Sequence, residues 1–156
     1  MALKFNKSKL QSFKNFQKEG NPPVTKIVLH HIAARSMTVE QIHNIHLKNG
    51  WAGIGYHFYI RKDGTIYEGR PLEYIGSHCL GQNSISIGVA LEGDFRYEKP
   101  TDKQITAAKQ VIKDIIKVYP KIKRVYNHKD LYPTACPVVN LKEMVTGNSK
   151  GELTNV

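Results

Sequence analysis

Apolar positions recur along this chain with two spacings, period two in short runs and about 3.6 in two longer ones. Thr25-Lys26-Ile27-Val28-Leu29-His30-His31 is apolar almost throughout and reads as a buried strand over about 24–31 that ends in two histidines. A helix is predicted over Val39 to Lys48, with Thr38 as its cap, Val39, Ile42 and Ile45 on one side, and Asn49-Gly50 as its stop. Ile54 to Arg61 alternates like a strand, and the Asp63-Gly64 turn folds Thr65-Ile66-Tyr67-Glu68 back on it as a hairpin. Ser84 to Leu91 is apolar enough for a place in mid-sheet.

The second long period runs from Thr101 to Tyr119. Thr101-Asp102-Lys103-Gln104 has the capping-box pattern, Ile105, Ala108, Val111, Ile112, Ile115 and Ile116 form the apolar face, and Pro120 ends the helix. A short strand at Arg124 to Tyr126 and a last helix at Leu141 to Val145 complete the pattern. The expected fold is one α/β domain, a central mixed β-sheet flanked by helices, over residues 24–145. Residues 1–23, closed by Asn21-Pro22-Pro23, read as an N-terminal extension, and 146–156 as a C-terminal tail or linker.

With 156 residues the chain is long enough for a core that needs no disulfide or metal to hold it. Its 40% hydrophobic and 23% charged residues are globular values. Cys79 and Cys136 make no disulfide framework, and a Cys136 used as a thiolate ligand excludes a bridge between them. No apolar run reaches transmembrane length, and the charged N-terminus has no secretory apolar run behind it. Synthesis in the cytoplasm is therefore expected. The 23 basic against 13 acidic side chains give a formal charge of +10, which attracts polyanions. The lysines are scattered and no reader motif accompanies them, so no nucleic acid is expected as partner; anionic cell-wall polymers suit the same charge.

Candidate chemistry is concentrated near the C-terminus. Asn127-His128-Lys129-Asp130-Leu131-Tyr132-Pro133-Thr134-Ala135-Cys136-Pro137 places a histidine and a cysteine in one Pro-punctuated loop. Together with one histidine of the first strand they make three nitrogen and sulfur ligands with a fourth position open, the ligand set of a catalytic zinc. His30 and His31 point to opposite faces of their strand, and strand phase alone leaves open which one takes part. His43 and His46, three apart on a helix, read as a polar helix face. His57 and His78 fit either the site or backbone hydrogen bonds.

The ordered set of strand-His, Gly50-Trp51, Gly55-Tyr56-His57-Phe58 and Arg61-Lys62-Asp63-Gly64-Thr65-Ile66-Tyr67-Glu68-Gly69-Arg70 resembles the N-acetylmuramoyl-L-alanine amidase family. That family includes zinc-dependent phage lysins, and the animal peptidoglycan-recognition proteins share its fold. Gly76-Ser77-His78, Asn83, Ser86-Ile87-Gly88-Val89 and the His128 to Cys136-Pro137 loop continue the similarity, which covers roughly residues 24 to 145. The resemblance implies one zinc ion per chain, held by His30, His128 and Cys136, with Tyr56 and Thr134 as catalytic side chains. Some relatives carry a catalytic glutamate where this chain has Ala90; Glu92, one strand period on, is the reserve acid/base.

The implied reaction is hydrolysis of the amide between N-acetylmuramic acid and L-alanine of peptidoglycan. Zinc would activate water, and the Tyr56 hydroxyl would hold the oxyanion. Trp51, His57, His78 and Asn83 are expected along the substrate groove. The implied setting is a phage endolysin that acts on the bacterial wall after phage-induced release; a monomer is expected, and the polar C-terminal tail leaves open whether a wall-binding module follows in a longer parent protein. The rival readings are a non-catalytic peptidoglycan-binding module on the same fold, a basic nucleic-acid binder with a structural zinc, and a bacterial autolysin or recycling amidase.

Overall fold

The computed structural model describes residues 6–7 and 23–153; the expected N-terminal extension lies almost wholly outside the described residues. In chain order the strands are β1 (Asn6–Lys7), β2 (Lys26–His31), β3 (Phe58–Ile60), β4 (Ile66–Glu68), β5 (Ser86–Leu91) and β6 (Arg124–Asn127), and the helices are α1 (Val39–Lys48), α2 (Asp102–Val118) and α3 (Leu141–Thr146). They form one sheet in the order β1-β4-β3-β5-β2-β6. The β3–β4 hairpin is antiparallel and every other pairing is parallel, so the sheet is mixed.

Strand alternation divides the sheet's side chains between two faces. Ile27, Leu29, Phe58, Ile60, Ile87, Val89, Leu91 and Val125 share the larger core with Ala108, Val111, Ile112 and Ile115 of α2 and with Leu141 and Val145 of α3. Tyr59 and Ala90 turn the other way and pack with Val39 and Ile42 of α1. Helix α1 buries Val39, Ile42, His43 and His46, the i, i+3, i+4, i+7 stripe of a 3.6-residue period. Ile45, expected on that stripe, is exposed instead. Both α1 and α2 begin with complete capping boxes, at Thr38 with Gln41 and at Thr101 with Gln104. Gln104 is fully buried, and its amide also donates to the carbonyls of Ile60 and Glu92, which locks the start of α2 onto β3 and the end of β5.

Two stretches differ from their sequence pattern. The alternation over 54–61 yields a strand only at Phe58–Ile60, because the amides of Ile54 and Gly55 donate to the Nδ1 atoms of His43 and His46 and not to a neighbouring strand. Residues 148–153, expected as a tail, pack on the free edge of β6: Val125 N–H donates to Gly151 C=O, and Leu153 N–H to Lys123 C=O. An edge strand presents unpaired backbone groups, and this segment satisfies them.

Candidate metal centre and active-site cleft

The parallel pairing of β2 with β6 aligns Leu29 with Asn127, so the next residues, His30 and His128, emerge side by side at the carboxyl end of the sheet. Their ring centroids are 4.4 Å apart. The 3-10 turn His128–Asp130 and the bend behind it carry the chain round to Cys136, where Lys129 N–H donates to Cys136 C=O and closes the loop. One ligand atom from each of His30, His128 and Cys136 lies within 4.8 Å of the other two. The contact between Cys136 Sγ and His30 Nδ1 measures 4.0 Å.

The donors fit a cation. His128 Nε2 is buried and has no hydrogen-bond partner, an expensive state for an imidazole nitrogen unless something else occupies its lone pair. Burial lowers the pKa of His128 and depresses that of His30 well below the ordinary histidine value, so both rings are neutral and able to ligate. Burial also pushes the Cys136 thiol up to about 11, against a smaller opposing effect of the His31 N–H that reaches its sulfur. A thiol in that position needs a cation beside it to release its proton. Two imidazoles and one thiol form the set that leaves a tetrahedral ion one further position. His31 takes the opposite strand face, where it stacks on Phe95 at 5.6 Å and accepts the Phe95 N–H.

The centre lies in a cleft of about 630 Å³ whose lining includes Tyr56, Trp51, His78, Asn83, Thr134 and Arg96. Tyr56 sits 5.1 Å, ring to ring, from His30; burial raises its pKa, so its hydroxyl keeps its proton. Thr134 Oγ1 accepts the Cys136 N–H at 3.2 Å, leaving the hydroxyl proton to donate elsewhere. Trp51 is 41% exposed, a wall of the cleft and not core, with His46 behind it at 4.6 Å. Asn83 Oδ1 accepts the N–H groups of both His78 and Cys79 and so shapes the opposite wall.

Two residues expected at the site lie away from the cleft. His57 is fully buried beside the interior strand β5, with Nδ1 accepting from Gly88 N–H and Nε2 bonded to Tyr74 C=O. Glu92 is 3% exposed, and its carboxylate holds Arg61, the Lys62 N–H and the Met37 N–H. Those bonds, led by the Arg61 side chain, outweigh desolvation and keep its pKa below the usual range. A carboxylate so committed is a brace between β5, β3 and the entry to α1. Conversely, His46 and Arg96 line the cleft although the sequence pattern does not single them out. Position i+7 from Val39 is the available signal for His46; Arg96, anchored by Asp94, carries none.

Known proteins resemble the chain in both sequence and fold. The profile of the family described as N-acetylmuramoyl-L-alanine amidase matches residues 20–138. The endolysin of Enterobacteria phage K11 is 38% identical over 112 residues, 69% of this chain and 74% of that protein. Peptidoglycan-recognition protein SC2 of Drosophila melanogaster is 35% identical over 125 residues, 73% of this chain and 68% of that protein. Among solved structures, the N-acetylmuramoyl-L-alanine amidase LysC from Clostridium intestinale URNW superposes with a TM-score of 0.81 at 39% identity, covering 87% of this chain and 89% of that one. With the fold shared across nearly its whole length and the family profile spanning both halves of the cleft, the chain belongs to the N-acetylmuramoyl-L-alanine amidase family.

Proposed function

We propose that this protein is a zinc-dependent phage endolysin that cleaves the bond between N-acetylmuramic acid and the L-alanine of the peptide stem. The observation that carries the reading is that His30, His128 and Cys136 gather one ligand atom each within 4.8 Å along the cleft, with His128 Nε2 buried and without a hydrogen-bond partner. His30, His128 and Cys136 are the ligands. Bound zinc supplies Lewis acidity to the scissile carbonyl and to water.

The chain's own groups do the rest. Tyr56, held protonated by its burial, donates its O–H to the carbonyl oxygen as that oxygen gains charge. The Thr134 hydroxyl, accepting from Cys136 N–H, directs its proton into the cleft toward the reacting amide. Trp51 offers an exposed aromatic wall to the glycan or stem. The basic charge favours approach to an anionic wall, where the enzyme acts at the end of infection.

The test is digestion of purified peptidoglycan by metal-stripped protein with and without restored zinc, with the new chain ends identified by mass spectrometry. Zinc-dependent release of L-alanine amino termini, without new reducing sugars, is the expected result. Binding of peptidoglycan with no new ends under either condition would convert the reading to a non-catalytic module.

A further inference from the structure

We propose that His78 is a positioning residue that fixes the tautomer of His30 and so aims the Nδ1 lone pair of His30 at the metal. The proposal rests on the metal-centre reading above and concerns a residue that ligates nothing itself.

The direction of each hydrogen bond follows from the end of the chain of bonds inward. Ser86 Oγ lies 2.7 Å from the carbonyl oxygen of Gln82, which can only accept, so the single hydroxyl proton of Ser86 goes there. Ser86 Oγ is then an acceptor toward His78 Nε2 at 3.2 Å, and His78 carries its proton on Nε2. A neutral imidazole protonated at Nε2 has a bare Nδ1. That atom lies 2.9 Å from His30 Nε2, which must therefore be the donor. His30, protonated at Nε2, keeps its lone pair on Nδ1, the atom 4.0 Å from Cys136 Sγ. Four groups in series thus decide which nitrogen of His30 is available for coordination.

The ring of His78 is also held where this requires. A Cβ on Gly88 would stand 2.6 Å from His78 Cγ, and one on Gly76 would stand 2.7 Å from His78 Cδ2. Two glycine backbones therefore pack against the imidazole closely enough that neither position has room for a side chain. Asn83 Oδ1 takes the backbone N–H groups of His78 and Cys79, fixing the segment from which the ring projects. The rings of His30 and His78 stand 5.0 Å apart, centroid to centroid, with their planes at 87° and His30 Nε2 within 2.9 Å of His78 Nδ1. Outer groups of this kind typically change metal affinity by about 10- to 100-fold when removed.

Two measurements on the full chain test the inference. Long-range 1H–15N spectra of the histidine rings, taken on stripped and zinc-loaded protein, report the tautomers directly. Both His30 and His78 should carry the proton on Nε2; a His30 protonated at Nδ1 in the stripped protein overturns the proposal. Zinc affinity by chelator competition should then fall by about 10- to 100-fold in His78→Ala and stay within about threefold of wild type in His78→Asn, whose side-chain oxygen replaces Nδ1 as acceptor. Ser86→Ala should weaken zinc in the same direction by less.

Equal affinity in wild type and His78→Ala, or equal loss in the Asn and Ala variants, overturns the role. If His78→Ala does not fold, Ser86→Ala decides: unchanged affinity with a mixed His78 tautomer removes the relay. A wild type that binds no zinc would sink the metal-centre reading instead, and the ring spectra of the stripped protein would still settle the tautomer.

Discussion

His46 accepts the amide proton of Gly55 at 2.8 Å, and that bond ties α1 to the segment that delivers Tyr56 to the cleft. His43, one turn earlier, does the same for Ile54. Burial, reinforced by the Arg70 guanidinium and His43, pushes the pKa of His46 down to about 4. An unfolded histidine takes its proton near 6.5, so between those values the unfolded chain binds a proton that the folded chain refuses.

Stability is therefore fully present above about pH 6.5 and drains away as pH falls toward 4, by up to about 3 kcal/mol from this group. Urea midpoints of metal-stripped protein across that window should show the slope. His46→Asn, which keeps an acceptor near the Nδ1 position and cannot titrate, should flatten it. An unchanged slope in the variant would assign the acid sensitivity elsewhere.

Tyr56→Phe removes one O–H from the cleft wall and nothing from the ligand set. Loss of a single oxyanion donor costs about a hundred- to a thousand-fold in turnover. Zinc affinity should match wild type while release of L-alanine termini drops by that factor. Turnover within a few-fold of wild type would take Tyr56 out of the chemistry.

Glu92→Gln separates a brace from an acid/base. The substitution sets an NH2 donor against the Arg61, Lys62 and Met37 donors that the carboxylate now satisfies. A cost of about 1–3 kcal/mol in stability is expected from the mismatched hydrogen bonds. Turnover per folded molecule should be unchanged, because Glu92 does not line the cleft. A large fall in kcat at full folding would return Glu92 to the mechanism.

The elements that sequence makes legible are those whose cause is local. The capping boxes at Thr38 and Thr101 set the starts of α1 and α2, and the Asp63-Gly64 turn, with Thr65 N–H on Asp63 Oδ1 and Gly64 at φ 87°, sets the hairpin. His128 and Cys136 are legible as a pair because one short loop holds both. That His30 stands beside His128 follows from the pairing of β2 with β6, a contact across about a hundred residues that strand phase does not encode. For the same reason His43 and His46 look like a polar surface in sequence: their partners, the amides of Ile54 and Gly55, are known only once the chain has folded over α1. His57 and Glu92 carry functional residue types, yet backbone groups from other elements have claimed their polar atoms.

Gly88 offers the last prediction. It sits in the middle of β5, paired with Val28, where a side chain would normally strengthen a strand. An added Cβ would stand 2.6 Å from His78 Cγ and 2.8 Å from its Nδ1, and the ring is also packed closely against Gly76. Gly88→Ala should cost about 1–3 kcal/mol by overpacking and should weaken zinc as the His78–His30 bond is displaced. In a His78→Ala background the three atoms nearest to that Cβ are gone, so its stability cost should shrink, a coupling that a double-mutant cycle reads directly. Additive costs in that cycle would mean that Gly88 is required by the sheet itself and not by the imidazole packed against it.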